Sequence, residues 1–209
     1  LLLIFLLALF LRIYSLSEFP VGFHADEARV GWNAYSILKT GQDDRGNKFA
    51  LYYNTFGDYR PTGIFYLTIP FIALFDLQVI AVRLPAAILS ILTVLATYHI
   101  VLLLFRSKQV ATLAALLLAI SPWHIYISRL GHESNAYLSF FVFGVLFFLK
   151  DRLLFAILFF TLSMISYYAG QVLLPLFGLG ILIIYRSKLK KMLVPILVSL
   201  PFLVPIFWS

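Results

Sequence analysis

The residues able to do chemistry are concentrated in one polar stretch. Ser15–Arg83 holds seven of the nine acidic residues. In Phe23-His24-Ala25-Asp26-Glu27, two adjacent carboxylates stand at the mouth of a helix. Asp26 is a candidate general base for an acceptor hydroxyl, with Glu27 beside it; a plain N-cap with a first-turn acid accounts for the same residues without a reaction. Arg60 precedes Pro61. A proline at the first helical position leaves backbone N–H groups pointing outward, so arginine and helix start together make a phosphate seat. An arginine snorkelling to lipid headgroups is the simpler alternative. His24 and Tyr59 are further candidates beside these two sites. A third group, Ser128-Arg129-Leu130-Gly131-His132-Glu133, lies between two apolar runs and reads either as part of a site or as an interfacial ion pair. His24, Asp26, Glu27, Asp43 and Asp44 offer ligands for a divalent ion, but their spacing matches no metal motif, so neither metal nor other cofactor is expected.

The elements that must position these residues are apolar. Hydrophobic residues make up 62% of the 209 and charged residues only 12%, roughly half the charged fraction of a soluble domain. Lipid is therefore the solvent. The formal charge of +7 does not point to nucleic acid, because the excess lysines and arginines sit in short loops between apolar runs and read as topology signals. With no cysteine, disulfide and thiolate chemistry are excluded. Both ends fall at apolar runs, which reads as a fragment of a longer protein, a single transmembrane domain over 1–209.

Apolar runs approaching a bilayer crossing occupy about 1–14, 84–105, 109–127, 134–149, 153–168, 171–185 and 192–208. The run 62–75 is short and carries Pro70, which suits an interfacial or re-entrant helix. If 62–75 does not cross, the loops 106–108, 150–152 and 186–191 share one side and carry eight of the sixteen Lys and Arg residues. That side is then cytoplasmic, and the first loop, 15–83, faces outward with 128–133. Within the first loop, Asp26–Lys39 has an apolar stripe (Val30, Ala34, Ile37, Leu38) and a polar one (Arg29, Asn33, Ser36, Lys39), with Asp26 as expected N-cap and Gly41 as C-cap. The expected fold is an all-α polytopic membrane protein of about seven transmembrane helices, with juxtamembrane interfacial helices in the first external loop.

Four stretches in order carry a family resemblance: Phe23-His24-Ala25-Asp26-Glu27-Ala28, Gly57-Asp58-Tyr59-Arg60-Pro61, Arg83-Leu84-Pro85, and Ala119-Ile120-Ser121-Pro122-Trp123-His124 running into Ser128-Arg129. Over about 20–150 the chain resembles the glycosyltransferase C superfamily, in the branch of protein O-mannosyltransferases and aminoarabinose transferases. The resemblance implies that Asp26 is the catalytic base supported by Glu27, that Arg60 contacts the donor phosphate with Arg129 as a second candidate, and that Glu133, beside His132, is the acidic residue of the second external loop. Relatives often have Lys and two prolines where this chain has Arg60-Pro61-Thr62. The implied partners are a polyprenyl-phosphate-linked sugar donor, the lipid bilayer, and an acceptor that is protein, lipid or glycan. The implied reaction is an inverting transfer at the external face of the cell membrane. A transporter or lipid flippase would carry ionisable groups within its spans. Those are few here, Arg12 and His99 being the main ones. A non-catalytic subunit and a metal-dependent, oligosaccharyltransferase-like enzyme are the remaining alternatives.

Overall fold

The computed structural model describes residues 1–49, 51–55 and 57–184. The expected span 192–208 and the basic loop 186–191 lie outside the described residues. Helices dominate in the order α1 (Leu2–Ile13), α2 (Ala25–Thr40), α3 (Gly63–Phe75), α4 (Val79–Phe105), α5 (Lys108–Ile120), α6 (Pro122–Ser128), α7 (Glu133–Leu149), α8 (Leu153–Ser166) and α9 (Tyr168–Ile184). Among the described residues, α4 is the one helix long and apolar enough to cross a bilayer unaided. The pair α5–α6 passes the same test as a broken span bent by 59°, while α1, α3, α7, α8 and α9 are shorter apolar helices. The expected seven crossings are thus not established by helix length.

Two expectations need correction. The chain is not purely helical: between α2 and α3 lies an antiparallel hairpin, β1 (Tyr52–Thr55) and β2 (Asp58–Pro61), with Tyr53 opposite Arg60. Its tyrosines favour a pleated strand, and Gly57, at φ +90°, supplies the turn. The run 109–127 is not continuous either. It breaks at Ser121-Pro122, because proline has no N–H to continue the ladder. The carbonyls of Leu118 and Ala119 released there are taken by Arg12, buried at the end of α1, which also bonds Nδ1 of His124 at 2.7 Å.

Between helices in lipid, apolar burial supplies little drive, so close approach of small residues matters more. On α5 the buried Ala111, Ala115 and Ala119 recur every fourth residue, and Ala115 and Ala119 pack with Ile4 and Ala8 of α1 and Val94 of α4. The principal cluster joins Val30 and Ala34 of α2, Ile64, Phe65 and Ile72 of α3, Val82 and Leu89 of α4, and Ala136 and Phe140 of α7. The polar stripe expected on α2 is only partly wet. Asn33 is fully buried, donating to the Arg29 carbonyl and accepting the Asp44 amide, because the 42–48 turn folds over that face.

Helix α3 begins beside Arg60, whose guanidinium reaches Glu133 at the start of α7. It ends just before Gln78, the N-cap of α4. One turn into α4, Arg83 bonds Glu27 and Val82 abuts Gly131. The segments flanking α3 on both sides therefore meet around residues 131–133. That region also gathers the starts of α2 and α7 and the junction between α8 and α9. Two glycines permit the close approaches: a Cβ on Gly131 would sit 2.7 Å from the Val82 carbonyl, and one on Gly63 would sit 2.6 Å from the Ile165 carbonyl.

Candidate active site

The cap of helix α2 lies two residues earlier than its sequence suggests, and this decides which carboxylate does what. The N-cap is His24 rather than Asp26: its Nδ1 accepts the Asp26 amide at 3.3 Å, and Glu27 reaches back to accept the His24 amide at 3.0 Å. This is a capping box with histidine in the place usually held by serine or threonine. The box requires its acid three residues after the cap, so Glu27 is turned inward and Asp26 is left at the rim.

Glu27 is 1% exposed and forms a bidentate pair with the equally buried Arg83, at 2.8 and 3.1 Å. It also accepts the Gly131 amide at 3.1 Å. Arg83 spends its remaining donors on the carbonyls of Leu16, Pro20 and Gly22. Burial by itself raises the Glu27 pKa. The hydrogen bonds from Arg83, the two backbone amides and the arginine charge outweigh it and hold the carboxyl below its ordinary value. Glu27 therefore supports the loop 16–24 and the α6–α7 turn rather than touching Asp26. The support for Asp26 that the resemblance implies runs through the backbone, since Glu27 accepts the His24 amide at the start of the same helix.

Asp26 sits among five polar side chains from three parts of the chain. Its Oδ1 lies 3.3 Å from Nη1 of Arg60 and 3.4 Å from Nη2 of Arg29. Its Oδ2 lies 3.5 Å from Nδ1 of His24 and 3.7 Å from Nε2 of His132. Glu133, buried behind this group, takes Arg29 at 3.2 Å and Arg60 at 3.6 Å. Arg29 and Glu133 are nearly or fully buried, whereas Asp26, Arg60 and His132 each keep about a quarter of their side chains accessible. His132 caps α7 as His24 caps α2: its Nδ1 accepts the Ser134 amide at 3.1 Å. In the neutral ring that leaves the proton on Nε2, the nitrogen facing Asp26.

Other expected residues fall elsewhere. The Arg129 guanidinium donates to the carbonyls of Leu11, Tyr14, Ser15 and Phe19 at 2.8 to 3.2 Å. Those bonds make it a clamp between α1 and the loop, which departs from the expectation that it holds phosphate. Burial, followed by the neighbouring charge of Arg83, lowers its pKa. Tyr59 is exposed on the face of β2 away from Arg60, since successive strand residues alternate. Asp43 accepts the amides of Arg45 and Asn47 within its own turn, and Asp44 accepts the Tyr53 hydroxyl. Among the described residues no group of three or more His, Cys, Asp or Glu is placed to hold a metal ion.

Sequence reading assigned no role at the site to Arg29 or Arg83. Arg29 carried a signal, three residues after Asp26 on the same helix. Arg83 lay just outside an apolar run taken to begin at residue 84; placed inside the helix, it would have stood out as a charge that must find a partner.

Beside Asp26 lies a cavity of about 440 Å³ lined by Pro20–His24, Glu27, Tyr126, Leu130 and His132. Both histidines that approach Oδ2 of Asp26 border it. The arrangement offers a partly accessible carboxylate with one oxygen toward two histidines that border a chamber and the other toward an arginine that can hold an anion.

Residues 59–208, more than half of the chain, match the protein family described as dolichyl-phosphate-mannose-protein mannosyltransferase. Comparison with curated proteins and with solved structures gives no match.

Proposed function

Because the chain belongs to the dolichyl-phosphate-mannose-protein mannosyltransferase family, it is a membrane glycosyltransferase, and we propose that it moves a sugar from a polyprenyl-phosphate donor to an acceptor hydroxyl with inversion at the anomeric carbon. The observation that carries this reading is the accessible Asp26 carboxylate held between Arg60 on one oxygen and the His24–His132 chamber on the other.

The donor phosphate takes Arg60. The Arg60–Asp26 contact it displaces is partly exposed, and such a pair is worth about 1 kcal/mol or less. A bidentate phosphate replaces it readily. Arg60 stays in place because Glu133, buried behind it, keeps hold of it. The acceptor hydroxyl enters from the chamber and gives its proton to Asp26 as its oxygen bonds the anomeric carbon. The bond from that carbon to the phosphate oxygen breaks, and polyprenyl phosphate leaves with the electron pair. Phosphate needs no strong general acid, and the charge gathering on it is stabilised by Arg60, backed by Arg29, in a poorly hydrated site. Arg106, Lys108, Lys150 and Arg152 sit at the opposite ends of the helices. The positive-inside rule puts those ends in the cytoplasm and the site on the external face of the cell membrane. The acceptor is a protein, lipid or glycan hydroxyl.

The test is Asp26→Asn in the full-length protein, reconstituted in bilayer nanodiscs with polyprenyl-phosphate mannose. Loss of a positioned general base lowers turnover by about a thousandfold, with thermal unfolding unchanged. Transfer retained within a few fold of wild type removes Asp26 from the chemistry.

A further inference from the structure

The junction of α8 and α9 supplies a wall of the site that neither the sequence motifs nor the ion cluster account for. Tyr167 and Tyr168 lie there with ring centroids 4.3 Å apart and planes tilted by 42°, and their hydroxyls are 2.9 Å apart. The Tyr167 ring stands 6.3 Å from His132 and 6.0 Å from Tyr137. It lies close enough to Glu133 and Arg60 to sense both charges. Tyr168 is half exposed.

Tyrosines at helix ends commonly form an interfacial belt, pointing toward lipid headgroups. Tyr167 does otherwise, facing the charged cluster and packing on His132. The junction is also tied down from three sides. Gln171 donates to the Tyr52 hydroxyl at 2.7 Å, linking α9 to the hairpin that carries Arg60. Gly63 at the start of α3 lies against the Ile165 carbonyl, and Gly170 lies against the Ser163 carbonyl and the Tyr137 ring. A side chain on either glycine would push the junction away. These are the close contacts of a positioned surface, not of a loose belt.

We propose that Tyr167 and Tyr168 form the platform for the donor's sugar ring, Tyr168 offering its aromatic face and Tyr167 setting which hydroxyl pattern is accepted. This rests on the reading of Arg60 as the phosphate seat, since the sugar joined to that phosphate must lie within one ring's length of it. A pyranose has apolar C–H faces and a rim of hydroxyls. A half-exposed Tyr168 ring, its hydroxyl joined to that of Tyr167, with His132 next to the Tyr167 ring, matches both parts. Burial, the Tyr168 hydroxyl and the Glu133 charge push the Tyr167 pKa up to about 12, so the phenol keeps its proton, which it gives to the Tyr168 hydroxyl, leaving its oxygen to accept from the sugar.

The experiment compares the affinities of the full-length protein in nanodiscs for polyprenyl-phosphate mannose and for bare polyprenyl phosphate. Wild type prefers the glycosylated lipid by about tenfold. Tyr168→Ala loses that preference while still binding bare polyprenyl phosphate; Tyr168→Phe, which keeps the ring and folds as wild type, retains it. Tyr167→Phe keeps the preference for mannose but no longer separates it from glucose on the same carrier. A Tyr168→Ala preference within twofold of wild type, or no preference in wild type, overturns the platform. Turnover is recorded in parallel: absence of transfer by wild type defeats the transferase reading, while the binding comparison still decides the platform.

Discussion

Asp26 and Glu27 are neighbours in sequence and opposites in environment. Glu27 is dry and bidentate with Arg83, and each of its oxygens also accepts a backbone amide. Asp26 is a quarter exposed, shared loosely among two arginines and His132 at 3.3 to 3.7 Å, with the His24 ring 3.5 Å away. A buried pair whose every atom is satisfied cannot exchange partners without leaving a charge stranded. A half-wet cluster with long contacts can. The first holds three segments together, and the second can hand an arginine to a phosphate and take a proton. Two like residues have been divided between scaffold and chemistry by which way one helical turn points.

The largest effect that would break this comparison is on stability. Arg83→Met leaves Glu27 buried without its partner, and the loss expected is about 3–5 kcal/mol, read as a lower unfolding midpoint in nanodiscs. Arg60→Lys leaves the midpoint where it was. If both variants unfold alike, the division between scaffold and chemistry is wrong.

A second experiment sharpens the wet side. Arg60→Lys keeps the charge and loses the planar fork, so kcat/KM for the donor falls about tenfold with little change in acceptor KM. An unchanged kcat/KM would show that phosphate is held elsewhere.

The smallest effect concerns pH. The Glu27 carboxyl is held below its ordinary value of 4.5, so the stability it contributes is fully present above that pH and is lost as pH falls through the lowered folded value. The difference in unfolding midpoint between wild type and Glu27→Gln therefore stays constant from neutral pH down to about 4.5 and narrows below it. A gap that narrows above pH 5 would show that Glu27 is not held by Arg83.

The membrane class, the family resemblance and the position of Asp26 in the first turn of a helix were legible in the residues, whereas Pro61, read as the first helical residue, instead ends β2 with Arg60 beside it in the strand, and α3 begins two residues later at Gly63. Hydropathy, proline placement and charged loops are local signals that need no knowledge of neighbours. Gly41 as the cap of α2 was legible for the same reason: its left-handed φ of +73° suits glycine. The capping role of His24 was not, because an imidazole caps only when its ring nitrogen is turned toward the helix. Nor was the hairpin over 52–61, whose strands of four residues are too short to show a period beside longer apolar runs.

By itself the sequence determined the solvent of this protein, the order of its helices and the acidic and basic groups available to its site, because composition and periodicity act residue by residue. Only the tertiary structure decided that Arg83 belongs to Glu27, that Arg29 and Glu133 stand behind Asp26 and Arg60, that Arg129 is spent on backbone carbonyls, and that two tyrosines from the α8–α9 junction border the cluster. The physical reason is that the partner of a buried charge is chosen by which helix ends meet, and Glu27–Arg83 and Arg29–Glu133 bring together residues 56 and 104 positions apart.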